Sequence, residues 1–278
     1  MRKIFILLSL LFVTLAFSYE DSDFDGVEDA LDKCPNTPFT DLVDINGCTK
    51  KSLVSPHNFD IIVGASYSDS DYQTLNATDT LSTTLQVDYY YKNLSVQAST
   101  SYFSTSGSGY SESGLNDSFI GASYQLKPTN ALYVRVGGGL LLPTYKSALN
   151  NNKMDYIASL NLSYTVSNFS FFGGYSYTFV NDTNAILLDD ANNTIAVDYQ
   201  NTTALSGGIG YYINDKLYMS GAYNVSNSIY DGVEDIQTAS LYGYYGIDKN
   251  WFTTFSYARG LSESATKNYV SIRLGYFF

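Results

Sequence analysis

The chain has 278 residues, 45% of them hydrophobic and 15% charged, with a formal net charge of −12. An acidic surplus of this size excludes nucleic acid as a partner, because phosphate backbones are held by basic surfaces. With 27 Tyr, 16 Phe, 21 Gly and 5 Pro, and no long apolar run beyond the N-terminus, the composition excludes a helical membrane protein and leaves an all-β class.

The chain opens with Arg2 and Lys3, an apolar run from Ile4 to Leu15, and then Ala16-Phe17-Ser18. Small residues at the −3 and −1 positions predict a secretory signal peptide over residues 1–18, cleaved after Ser18. The apolar run is too short to span a bilayer, which takes about 20 residues. Without Arg2 and Lys3 the net charge of −12 becomes −14. In the oxidising compartment this implies, Cys34 and Cys48, the only two cysteines, are expected to pair.

Residues 19–48 form an acidic module. Asp21, Asp23, Asp25, Asp29 and Asp32 occupy positions one, three, five, nine and twelve of a loop whose sixth residue is Gly26. That is the ligand spacing of an EF-hand calcium loop, with Val27 offering its backbone carbonyl. Position twelve is Asp rather than Glu, and no amphipathic helix pair flanks the loop. Instead Lys33-Cys34-Pro35 and Asn46-Gly47-Cys48 follow. The stretch resembles a thrombospondin type 3 repeat, in the form found as a linker in OmpA-like proteins. The resemblance implies calcium as a cofactor, held by Asp21, Asp23, Asp25, Val27, Asp29 and Asp32. A solvated acidic spacer is the alternative. OmpA-like proteins add a peptidoglycan-binding domain; this chain has none, so that role is not implied.

After a linker over residues 49–57, period-two alternation runs over residues 58–278 and predicts twelve strands. The first spans about 58–68, with Ile61, Val63, Ala65 and Tyr67 on one face. The second spans about 80–92. The sixth is the cleanest, with Met154, Tyr156, Ala158, Leu160, Leu162, Tyr164 and Val166 alternating with polar residues. The twelfth carries Val270, Ile272, Leu274, Tyr276 and Phe278. Strands of about 10 residues or more, even in number, suit a membrane barrel better than a soluble sandwich. Long connections are expected near 69–79, 104–117, 144–153, 181–201, 228–235 and 261–267, with short turns between them. Tyr89, Tyr91, Tyr102, Tyr124, Phe169, Phe179, Tyr211, Trp251, Tyr257, Tyr276 and Phe278 are candidate interface-girdle residues.

A strand ending at a terminal Phe resembles the C-terminal signal of bacterial outer-membrane β-barrels. The resemblance implies an outer-membrane location, outer-membrane lipid and the barrel-assembly machinery as partners, Val270, Ile272, Leu274, Tyr276 and Phe278 as the assembly signal, and an acidic module in the periplasm. The last strand should close on the first around Asp60 to Tyr67.

The inward face reads as Ser, Thr, Asn, Gln and Gly, with Asp60, Asp88, Lys92, Arg135, Asp155 and Arg273 as charged lumen residues. Small residues such as Gly64, Ser66, Gly137, Gly139, Ser159, Gly174, Gly208 and Gly210 leave room for a narrow aqueous passage, intermediate between filled eight-stranded barrels and open porins. Two readings stand: a narrow small-solute channel, or a structural or adhesive barrel plugged by pairing of Arg135 and Arg273 with Asp88 and Asp155. Barrel enzymes of the outer-membrane phospholipase and omptin types need a histidine base. The single histidine, His57, precedes the first predicted strand, so no enzymatic activity is expected. Tyr230-Asp231-Gly232-Val233-Glu234-Asp235 echoes the acidic loop without its full ligand set and reads as a surface turn.

Overall fold

The structure is a computed structural model, which describes residues 56–71, 77–145, 153–182, 184–188 and 194–278, together with Asp23, Val27, Asp29, residues 31–34, Asn46 and Cys48. The chain divides into two units, Met1–Ser55 and Pro56–Phe278. In the first, Cys34 and Cys48 form the expected disulfide. Beside it the Asp32 carboxylate accepts the Cys34 backbone N–H at 2.7 Å, and the Lys33 N–H donates to the Asn46 carbonyl at 2.9 Å.

Among its described residues the second unit contains fifteen strands: β1 (His57–Ser70), β2 (Thr78–Tyr91), β3 (Leu94–Gly107), β4 (Tyr110–Leu115), β5 (Ser118–Leu126), β6 (Leu132–Leu142), β7 (Asp155–Val166), β8 (Phe169–Phe179), β9 (Ala185–Leu188), β10 (Thr194–Val197), β11 (Thr202–Tyr212), β12 (Leu217–Ser226), β13 (Ile236–Gly246), β14 (Trp251–Gly260) and β15 (Asn268–Phe277). Twelve of them, all but β4, β9 and β10, pair antiparallel with their neighbours into one ring. The ring closes where β1 meets β15, in register from Asp60↔Phe277 to Asp69↔Asn268. The seam extends to the C-terminus: Phe59 and Phe278 exchange backbone hydrogen bonds of 2.8 and 3.0 Å.

The apolar residues lie on the outside. Ile61, Val63, Leu81, Leu85, Leu160, Leu205, Leu241 and Ile272 are all exposed, Ile272 by 61%. Only Ile62, Phe103 and Ala265 are buried hydrophobic residues among those described. A soluble sandwich inverts this pattern. A continuous apolar belt on barrel strands of 9 to 14 residues is stable only against lipid.

One end of the barrel is made of tight turns. Tyr91↔Leu94 and Val166↔Phe169 flank two-residue turns whose first residues, Lys92 and Ser167, adopt φ of 53° and 52°. The other end carries the long connections, two of which differ from expectation. The segment expected as a loop at 104–117 is instead an extension of the wall: β3 runs to Gly107 and pairs with β4 through a turn at Ser108-Gly109, where Gly109 has φ 79°. Between Tyr102↔Leu115 and Ser99↔Phe119 the register slips by one residue, so a β-bulge lies at Asn116-Asp117. The connection at 181–201 contains the β9–β10 hairpin, and Tyr199 bridges to Tyr230 beyond it.

Candidate functional site

The candidate site is the inner face of the barrel. Alternation places Asp60, Asp88, Arg135, Asp155 and Arg273 on that face. Lys92 is a correction: it lies in the β2–β3 turn, with its Nζ 5.3 Å from the centre of the outward Tyr91 ring. The tight turn takes it out of the strand and off the wall.

Near the tight-turn end, Asp60 and Asp88 are directly opposed on β1 and β2. Both are buried, at 9% and 6% exposure. The Tyr90 hydroxyl donates to Asp60 Oδ2 at 3.0 Å, and Gln86 Nε2 donates to Asp88 Oδ2 at 2.7 Å. Asp60 Oδ1 is buried without a hydrogen-bond partner. Arg273 Nη1 donates to Gln86 Oε1 at 3.2 Å, and Arg135 Nη2 to Gln125 Oε1 at 2.9 Å. Each guanidinium is therefore held by an amide. The one ion pair between described residues is Lys267–Asp71, 3.7 Å apart on the long-loop side, so the pairing of Arg135 and Arg273 with Asp88 and Asp155 that the alternative, plugged reading needs does not form. Asp155 sits at the far end of its strand, where it accepts the Asn181 backbone N–H at 2.8 Å. It lies near Asp117 and Asp182, and Asp182 Oδ2 is also buried without a partner. Burial is the main cause that raises the Asp117 pKa above the ordinary carboxylate value, with the Asp182 charge adding to it.

The interior encloses space. A cavity of about 320 Å³ runs from Gln86 and Asp88 to Arg135 and Asn161. Another, of about 590 Å³, shares Gln86, Asp88 and Tyr90 and reaches across to Tyr242, Tyr244 and Phe252. Arg135 and Asn161 are exposed although they face inward, so the lumen admits water there.

Aromatic rings on the inner face escape a reading of that wall as small and polar. Tyr90, Phe119, Tyr133, Phe172, Tyr212, Tyr218, Tyr242, Tyr244 and Phe252 all fall on inward positions. Several cover the glycines expected to leave open room. A Cβ built on Gly208 would meet the Phe172 ring at 2.5 Å, one on Gly121 would meet Phe119 at 2.5 Å, and one on Gly210 would collide with the hydroxyl end of Tyr218. Gly139 lies under Phe119 and Gly275 under Phe252 in the same way. Gly64 makes room for the stem of Arg273, whose Cγ would be 2.7 Å from such a Cβ. The signal that marks these rings is parity: each occupies the phase of its strand opposite to the lipid-facing residues.

His57 opens β1 rather than preceding it. It faces outward at the tight-turn end, with Nδ1 2.6 Å from the Tyr89 hydroxyl. The inner wall therefore contains no imidazole base. Of the expected calcium ligands, Asp21 and Asp25 lie outside the described residues. Among the described residues, no group of three or more His, Cys, Asp or Glu side chains is arranged to hold a metal.

An antiparallel barrel of twelve strands, apolar outside and polar inside, has the fold of bacterial outer-membrane β-barrels. No family model matches the chain and no curated protein matches it in sequence. Among solved structures, the barrel is similar to the COG4313 outer-membrane channel from Pseudomonas putida F1, at TM-score 0.65 and 11% identity over 80% of this chain and 95% of that one. It is also similar to the NanC porin, at TM-score 0.50 and 15% identity over 77% and 97% of the two chains. The translocator domain of the autotransporter NalP from Neisseria meningitidis matches at TM-score 0.55 and 11% identity, over 79% and 88%. At these identities the likeness is one of fold.

Proposed function

We propose that the chain is a narrow outer-membrane channel for small hydrophilic solutes, favouring neutral and cationic ones. The observation that carries this reading is the lumen itself: neither arginine forms an ion pair with a carboxylate, and inner cavities of about 320 and 590 Å³ share the Gln86–Asp88–Tyr90 wall. A plugged barrel would need those charges joined across the interior. Outer-membrane barrels keep short turns in the periplasm and long loops outside, which puts the acidic module on the periplasmic side. Among the described residues, the long-loop end then presents Asp69, Asp71, Asp79, Glu112, Asp117, Asp155, Asp182, Asp198, Asp231, Glu234, Asp235 and Glu263 against Lys153, Arg259 and Lys267. The tight-turn end has Lys92, Lys127, Lys216 and Lys249 against Asp215 and Asp248. An acidic entrance concentrates cations and repels anions.

Single-channel recording of the purified protein in planar bilayers tests this. Discrete conductance steps and a cation-side reversal potential in a potassium chloride gradient are expected. A protein that inserts yet gives no steps leaves the structural, loop-displaying role.

The acidic segment with Asp21, Asp23, Asp25, Val27, Asp29 and Asp32 is proposed as a calcium-binding repeat that stiffens the periplasmic module. The disulfide supports a compact module. The carboxylate of Asp32 is already turned onto the Cys34 N–H, which ties the last ligand of the set to the disulfide. Isothermal calorimetry of the full-length protein should show calcium binding that Asp25→Asn abolishes; equal heats for both proteins would reduce the segment to a spacer.

A further inference from the structure

The inner face is divided into two unlike walls. On β11 to β14, Tyr212, Tyr218, Tyr242, Tyr244 and Phe252 form a run of rings. Tyr212 and Tyr218 are 4.7 Å apart, Tyr218 and Tyr242 6.5 Å, and Tyr244 and Phe252 5.6 Å. In the ring of twelve strands, β2, β3, β5 and β6 lie six places away. Those strands present Gln86, Asp88, Gln97, Gln125 and Arg135, interleaved with Tyr90, Phe119 and Tyr133. The aromatic run therefore looks across the lumen at a wall where amides, a carboxylate and a guanidinium stand between rings.

Two of the rings lean over the barrel wall onto glycines of the neighbouring strand. Tyr218 lies over Gly210 and Phe252 over Gly275, positions where any Cβ would push the ring off the wall. Tyr212, Tyr218 and Tyr242 are inclined to one another by 48° and 61°, so the run offers both faces and edges to the lumen. Tyr242 and Tyr244 are each 37% exposed although they face inward. The cavity of about 590 Å³ touches both walls, from Gln86 and Asp88 to Tyr242 and Phe252. That is within the roughly 300–1,000 Å³ of small-molecule sites.

We infer that this segment of the lumen is a binding subsite for a neutral carbohydrate, a pyranose or short oligosaccharide that stacks one face on the tyrosine wall and directs its hydroxyls to the amide and charged wall. A pyranose has a flat face of C–H groups and a rim of hydroxyls that both donate and accept. The two walls offer the matching halves: π faces on one side, and acceptors and donors in planar groups on the other. The cavity is lined by charges of both signs, Asp60, Asp88 and Asp248 with Lys249 and Arg273, which suits an uncharged ligand with a rim of hydroxyls. The inference rests on the reading of the lumen as a passage.

The test uses the full-length protein in planar bilayers, with maltotriose, a polyethylene glycol of similar mass, and choline as probes. Maltotriose should interrupt the current in events much longer than those of the polymer. The double variant Tyr218→Ala/Tyr242→Ala should shorten these events about 10-fold, equivalent to about 1.4 kcal/mol of lost stacking, with conductance retained or raised. Tyr242→Phe, which keeps the ring face, should leave them nearly unchanged. Equal interruptions from polymer and sugar, interruption by choline alone, or a double variant that still holds the sugar would each overturn the inference. If no variant conducts, the passage reading fails and calorimetry decides the subsite. Maltotriose heat on the detergent-solubilised, heat-modifiable barrel that disappears in the double variant sustains it, and absence of heat in the parent protein ends it.

Discussion

Asp60 and Asp88 stand side by side on β1 and β2, register partners on the same inward face, both buried, with no arginine close enough to pair with either. Like charges directly opposite on neighbouring strands destabilise a sheet. Their place on the wall of the 590 Å³ cavity fits a demand on the passage more than a demand of folding.

Replacing one of them relieves the opposition. Asp60→Asn keeps an oxygen for the Tyr90 hydroxyl and removes the charge facing Asp88. The barrel should gain roughly 0.2–1 kcal/mol of stability, measured by urea unfolding in detergent micelles, while the cation-side reversal potential falls. A less stable variant would mean that the carboxylate is satisfied in a way the opposition does not describe.

The glycine-backed rings make a second expectation. Gly210→Ala places a methyl group where the Tyr218 ring lies, so the ring must swing into the lumen. Overpacking of this kind costs about 1–3 kcal/mol, and the single-channel conductance should drop. Gly173→Ala is the contrasting substitution: a Cβ there meets nothing closer than 3.4 Å, and conductance should be unaltered.

Acid should loosen one tight turn before the rest. Asp248 accepts the backbone N–H groups of Trp251 and Asn250, each at 2.8 Å, and these bonds hold its pKa below the usual carboxylate value. A depressed folded-state pKa contributes stability that is present above the unfolded-state value and is lost as pH falls through the folded one. Amide exchange at Asn250 and Trp251 should therefore accelerate selectively below about pH 4, and Asp248→Ala should show the faster exchange at every pH.

The entrance charge should be screened by salt. At 1 M the Debye length is about 3 Å against about 10 Å at 0.1 M, so a selectivity that arises from the acidic loop end should weaken as salt rises over that range. A preference that persists unchanged at 1 M would locate the filter at the Asp60–Asp88 level instead.

The last strand separates assembly from interior. Phe278 faces outward and stacks on Phe59 with ring centres 5.5 Å apart, whereas Arg273 reaches inward to Gln86. Phe278→Ala should lower the amount of folded barrel in outer-membrane fractions, and Arg273→Ala should alter conductance with insertion largely kept.

The strands and the lipid face were legible because each strand obeys a period of two over its whole length. The β4 segment was not, since the bulge at Asn116-Asp117 switches the outward phase from the odd residue Leu115 to the even residue Ile120, and alternation is lost across it. The opposition of Asp60 and Asp88 and the seating of Phe172 on Gly208 depend on which residue of the next strand falls opposite. Register is fixed by turns and shear, and a single strand does not carry it. Lys92 was misplaced for a similar reason: it continues the pattern of β2 but belongs to the turn.

The meeting of Phe59 with Phe278 also constrains how the molecule comes into being. Nearly every other strand pair joins neighbours in sequence, whose loops close at little entropic cost. The β1–β15 seam joins the two ends of the barrel, the contact of largest sequence separation in the unit. Until it forms, β1 and β15 each expose a row of unpaired N–H and C=O groups that lipid cannot satisfy. The lipid-embedded barrel is thus committed to a late, all-or-none closure, and anything that holds those two edges apart or together governs its yield more than the stability of any single strand.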